Sequence, residues 1–145
     1  MTLLELTNAI ERLAVASPLI RYAASGSDVY DLNARTVEDY PAVYIMPDGV
    51  HTLTHNATQY HLTIFYVDRL VADKTNAEQI FSTGIQVLSN LVRGIRDLDG
   101  VLSVGDTVSI QNFINTEQEK LSDVCAGAYA IVNISAGNDT TCNIL

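Results

Sequence analysis

A strand and a long helix that follow each other dominate the hydrophobic pattern of this chain. From Tyr60 to Tyr66 every second residue is large and hydrophobic, which predicts a strand, running to about Leu70, with one buried face. From Asn76 to Ile95 the apolar residues instead recur every three or four positions, so we expect a helix over about residues 75–96 whose broad stripe packs across a sheet. Gly84 lies in that stripe, where it is expected to let another element approach closely.

A second helix is predicted at the N-terminus. Thr2 and Glu5 have the spacing of a capping box, and apolar residues recur at helical intervals as far as Val15. Ser17 precedes a proline, which disfavours helical backbone at that position. The helix is therefore expected over about residues 3–16.

Short strands are predicted for much of the remaining chain. Those expected cover residues 19–23, 41–47, 50–54, 101–104, 107–115 and 124–135, with an irregular segment over residues 28–40. The turn Asp48-Gly49 is expected to join two of them in a hairpin. The last strand alternates small residues such as Ala126, Ala128 and Ala130, which leaves room for the long helix. These elements predict one α+β domain over residues 1–137, with a mostly antiparallel sheet packed by the two helices and a tail over residues 138–145.

Composition and charge narrow the classes of partner. The chain has 145 residues, 48% of them hydrophobic and 17% charged, as in a folded protein, and no apolar run has the length of a membrane span. No secretory signal is recognisable, so the protein is expected to stay where it is made. Its formal net charge of −9 repels phosphate backbones and anionic membranes, and its eight basic residues are scattered. We therefore expect no membrane partner and no specific binding of nucleic acid.

Candidate catalytic and metal-binding residues are few. His51 and His55 are four residues apart, but on a strand that spacing separates side chains by roughly 13 Å. With His61 they are interpreted as polar residues on strand faces. Cys125 lies in an apolar strand, which favours a core position over a reactive thiol. No phosphate-binding loop, dinucleotide fingerprint or nucleophile elbow is present, so the sequence predicts no catalytic residues, no metal site, no cofactor and no enzyme activity.

The order of elements resembles a known structural family. The elements come in the order N-terminal helix, meander beginning at residues 40–45, long strand, long helix and two closing strands, the second introduced by residues 121–127. This order resembles that of the tail-terminator and head–tail connector proteins of tailed bacteriophages. That resemblance implies a virion structural protein of the phage neck, assembled in the host bacterial cytoplasm as a homo-oligomeric ring of six or twelve subunits. It also implies portal, connector and tail proteins as partners, with DNA passing through the ring without specific binding.

Three segments are the expected contact sites in such a ring. They are the predicted hairpin with Met46, Asp48 and Val50, the polar excursion with Thr116, Glu117, Glu119, Lys120 and Leu121, and the tail with Ile144 and Leu145. The excursion is equally well interpreted as an ordinary solvated loop. Two further functions stay open at this point: a small α+β enzyme or ligand-binding domain, and a non-viral tube or secretion-system subunit.

Overall fold

Two helices cover one face of a seven-stranded mixed sheet in the computed structural model, which describes residues 1–27, 40–70, 75–115 and 125–137. The helices are α1 (Leu3–Ala16) and α2 (Ala77–Arg96). The strands are β1 (Tyr22–Ser25), β2 (Ala42–Pro47), β3 (Thr52–Leu53), β4 (Ala57–Arg69), β5 (Val101–Val104), β6 (Ile110–Asn115) and β7 (Cys125–Gly137). The predicted α+β class is confirmed.

Both predicted helices form close to their expected bounds. At the start of α1 the Thr2 hydroxyl accepts the Glu5 backbone N–H at 3.1 Å, and the Glu5 carboxylate accepts from the Thr2 backbone, so the capping box is complete. α2 carries Glu78 in its first turn and Arg93 and Arg96 in its last, an arrangement that complements the helix dipole at both ends.

The sheet is built around the pairing of β4 with β7. These strands are antiparallel over their whole lengths, from Ala57 opposite Gly137 to Arg69 opposite Cys125. The strand order is β1-β2-β4-β7-β5, with β3 also pairing β4 and β6 also pairing β7. Among the described strands, β1 and β2 form the one parallel pair. β1 begins three residues later than predicted, since the Ile20 N–H is taken by the Ser17 carbonyl in a turn after α1.

The predicted hairpin between residues 41–47 and 50–54 is wrong. β2 and β3 both run antiparallel to β4 along the same edge, so they point in the same direction. Between them the His61 backbone N–H donates to Nδ1 of His51 at 3.2 Å, so an imidazole takes the place of a carbonyl in the ladder. The hairpin instead joins β3 to β4, closed by the Thr54 N–H on the Ala57 carbonyl at 2.8 Å.

The main core lies between the helices and the sheet. The alanines of β7, Ala126, Ala128 and Ala130, are fully buried there, as predicted. A Cβ at Gly84 of α2 would lie 2.9 Å from Cδ1 of Tyr66 and 3.2 Å from Cβ of Ala128. The prediction that Gly84 permits a close approach is thus confirmed, and burial of this apolar surface is the main stabilising term.

A smaller cluster lies on the opposite face of the sheet. Its buried members are Tyr40, Ala42, Tyr44, Val67 and Cys125. Cys125 is fully buried, which confirms the prediction that it occupies a core position.

Candidate assembly interface

The segment from β2 to β3 carries the first group of predicted contact residues. Met46 is half-buried against the smaller cluster, whereas Asp48 is exposed and accepts a hydrogen bond from the Thr63 hydroxyl at 2.8 Å. Val50 is 73% exposed and Leu53, which the sequence analysis did not single out, is 78% exposed. Leu53 and the outer side of β3 are called the β3 edge below.

The histidines hold this segment onto β4. The rings of His51 and His61 are nearly parallel, 9° apart, with centroids 6.4 Å from each other. His61 also contacts the hydroxyl of Thr52 at 3.2 Å through Nε2 and the side-chain oxygen of Asn133 through Nδ1. His55 is exposed. Among the described residues no group of three or more potential ligands of the His, Cys, Asp or Glu type could hold a metal ion.

A second apolar edge lies on the opposite side of the same end of the sheet. Leu53 is paired with Thr58, Thr58 with Ala136, and Ala136 with Val101 of β5. Leu102, the next residue of β5, is 63% exposed. Three strand spacings of about 4.8 Å separate β3 from β5, so the two edges lie roughly 14 Å apart. Leu102 and the outer side of β5 are called the β5 edge.

The sheet face opposite the helices is aromatic in its middle. The rings of Phe65, Phe113 and Tyr129 lie with centroids 5.7 to 6.4 Å apart, and the Tyr129 hydroxyl donates to the side chain of Gln111 at 2.8 Å. Ile131, one alternation further along β7, is 55% exposed. Neither described helix packs on this face, since both contribute to the core on the other side.

A polar cavity opens at the start of α2, where sequence reasoning saw only a strand and a helix cap. Tyr66 and Asp68, two residues apart on β4, line it together with Asn76 and Gln79. Burial raises the pKa of the Asp68 carboxyl, partly countered by the Arg69 N–H that donates to it at 2.8 Å. Burial, followed by the charge of Asp68, raises the pKa of the Tyr66 phenol. One signal in the sequence could have indicated this cavity. The alternation of side chains along β4 places Asp68 on the same, helix-facing side of the strand as Tyr66.

The other predicted contact residues lie outside the described residues. These are Thr116, Glu117, Glu119, Lys120 and Leu121 of the excursion and Ile144 and Leu145 of the tail. Their part in an interface stays a prediction.

Comparisons with known proteins assign this chain to no family. No protein-family model matches the chain, and no curated protein matches it. Neither described helix is both long and apolar enough to cross a membrane.

Proposed function

We propose that this protein is a non-enzymatic structural subunit that forms a closed ring at the head–tail junction of a tailed bacteriophage, as a tail terminator or a connector. The observation that supports it best is the pair of apolar edges, β3 and β5, on opposite sides of the same end of one sheet. The order of elements, which resembles that of phage neck proteins, supplies the biological setting.

Two different edges are what a ring of identical subunits requires. A head-to-tail contact joins one surface of a subunit to a different surface of the next, and it closes into a ring when the rotation between neighbours closes. Among the described residues, β3 pairs only β4 and β5 pairs only β7, so each strand has an outer side without a strand partner. Backbone groups on such edges pair readily with a strand of another chain. Leu53 and Leu102 would be buried by that pairing.

The charge of the subunit suits the same role. A net charge of −9 gives a ring whose surfaces repel the DNA backbone. The channel through such a ring would let DNA pass without binding it, as the neck of a phage requires.

Disulfide trapping tests the head-to-tail contact. In a Cys142→Ser background, Leu53→Cys and Leu102→Cys are introduced singly and together, and the proteins are oxidised and separated without reductant. Because Cys125 is buried, a single exposed cysteine on each subunit allows nothing larger than a cross-linked dimer. The pair of exposed cysteines is expected to give a ladder that stops at the ring number.

The matched control combines Leu53→Cys with Val15→Cys, because Val15 is 50% exposed but lies on α1. A ladder no longer than this control would contradict the contact between the β3 and β5 edges. Electron microscopy of the trapped product is expected to show rings of six or twelve subunits.

The position at the head–tail junction is tested through the neighbouring genes. Genes for portal, capsid and tail proteins are expected beside this one. A neighbourhood of secretion-system genes would favour a non-viral tube subunit, and a protein that stays monomeric while binding a metabolite would favour a ligand-binding domain.

A further inference from the structure

A cavity of about 340 Å³ lies between the end of β4 and the first turns of α2, and it is called the Tyr66 cavity below. Its apolar wall comes from Leu19, Pro41 and Ile80. Its polar wall consists of Tyr66, Asp68, Asn76, Gln79 and Thr83. Among the described residues that line it there is no lysine, arginine or histidine, and Asp68 is the one ionisable carboxylate.

The phenol of Tyr66 is buried and has no hydrogen-bond partner among the described residues. The side chain is 1% exposed, and its ring packs against Gly84, as the distance of 2.9 Å from a Cβ at that position to Cδ1 shows. No described residue donates to or accepts from its hydroxyl. Most buried polar side-chain atoms in folded proteins have a partner, and leaving one unpaired is costly. A ligand in the cavity would supply the missing bond.

Asp68, which lines the same cavity, has one oxygen that no described residue contacts by a hydrogen bond. Its Oδ1 accepts the backbone N–H of Arg69 at 2.8 Å, and no described residue donates to Oδ2. The N-terminus of α2 carries about half a positive charge, so it offsets only part of the charge of an ionised carboxylate. A half-buried carboxylate with no cationic partner among the described residues favours a ligand that brings a positive charge.

We propose that the Tyr66 cavity binds an organic cation, namely a primary ammonium or guanidinium group on a short aliphatic stem. The cationic head donates to Oδ2 of Asp68 and to the hydroxyl oxygen of Tyr66, so each of these oxygens gains a donor. The stem lies against the apolar wall formed by Ile80 and its neighbours. An anion would be repelled by Asp68, and a neutral ligand would leave its charge unpaired.

The inference does not depend on ring formation, because the site lies within one subunit. The probe is n-butylammonium chloride, titrated into the uniformly ¹⁵N-labelled full chain at constant ionic strength while backbone amide shifts are followed. We expect saturable shifts centred on residues 66–68 and 76–83. The neutral analogue 1-butanol has the same stem and is expected to bind at least tenfold more weakly. Equal affinity for the two probes would overturn the proposal without the use of any variant.

Variants then assign the roles of the two polar groups. Asp68→Asn keeps an oxygen for the Arg69 N–H but loses the charge, and it is expected to weaken n-butylammonium binding at least tenfold. Tyr66→Phe keeps the ring against Gly84 and is expected to weaken n-butylammonium binding about three- to tenfold. Asp99→Asn is the matched control, since Asp99 is exposed beyond the other end of α2, and it is expected to change nothing. Unchanged binding by Asp68→Asn, with far-UV circular dichroism like that of the parent protein, would refute the site.

The cation has two sources, a free amine or the basic side chain of a second copy of the chain. Sedimentation equilibrium separates them. If the source is a second copy, saturating n-butylammonium and Asp68→Asn both lower the assembled mass. If it is a free amine, n-butylammonium binds while the mass stays constant. A failure of ring assembly leaves the amide titration readable, so the two proposals fail separately.

Discussion

Replacement of Gly84 by alanine tests how closely α2 sits on the sheet. In an exposed helix this change is stabilising by about 1 kcal/mol, because glycine is the poorer helix former. Here the new Cβ would lie 2.9 Å from Cδ1 of Tyr66 and 3.2 Å from Cβ of Ala128. Neither atom is the tip of a flexible chain, since one belongs to a buried ring and the other is fixed to β7.

The cost of overpacking decides whether Gly84→Ala raises or lowers the free energy of unfolding. Extra methyl groups forced into a well-packed core cost about 1–3 kcal/mol, which exceeds the gain in helix propensity. We expect Gly84→Ala to lower the free energy of unfolding by about 1 kcal/mol. For a chain of 145 residues this corresponds to a fall of roughly 3 °C in melting temperature.

Gly94 of the same helix supplies a matched control. A Cβ there would meet Cδ1 of Leu13 at 3.4 Å, an ordinary contact with a mobile side-chain tip. Gly94→Ala is therefore expected to raise stability by about 0.5–1 kcal/mol. Urea denaturation followed by circular dichroism at low protein concentration measures both variants. If Gly84→Ala were as stable as Gly94→Ala, the close packing of α2 on β4 and β7 would be refuted.

Three further predictions follow from the cavity and the tail. Tyr66→Phe is expected to raise the free energy of unfolding of the unliganded protein by about 1 kcal/mol, since it removes a buried hydroxyl that has no partner among the described residues; a variant less stable than the parent in urea denaturation would contradict this expectation. Because burial raises the pKa of Asp68, its favourable contribution is present at low pH and is lost as pH rises through that pKa. Asp68→Asn should thus melt higher than the parent at pH 7, with a difference that shrinks towards pH 4; identical melting curves at pH 7 would exclude this linkage. Deletion of residues 138–145 is expected to weaken ring assembly without lowering the melting temperature, and an unchanged oligomer mass by light scattering would contradict it.

Local signals predicted the helices well. The capping box of Thr2 and Glu5 and the apolar stripe of α2 both depend on residues three or four positions apart, so they are visible in the sequence itself. The alternation along β4 and the alanines of β7 likewise predicted which faces are buried. These features specify elements and faces, and the α+β class follows from them.

Strand pairing and cavities could not be predicted from the sequence, because they depend on residues that are far apart in the chain. Asp48-Gly49 is a good turn sequence, yet β3 returns to β4 and not to β2, with the ring of His51 bonded to the backbone of His61. The Tyr66 cavity needs β4, α2 and the segments around Leu19 and Pro41 to meet. Likewise, Leu53 and Leu102 become opposite edges of one sheet end only through the register of four strands.

The long ladder between β4 and β7 has a consequence for synthesis of the protein on the ribosome. Its pairs run from Arg69 with Cys125 to Ala57 with Gly137, so the centre of the sheet cannot close until β7 has left the exit tunnel. Contacts this distant in sequence are slow to form because the intervening loop must first be closed. Until then β7, with its alanines, is not available to cover the apolar stripe of α2 and the helix-facing side of β4. The nascent chain thus passes through an interval in which it is open to chaperones and to aggregation.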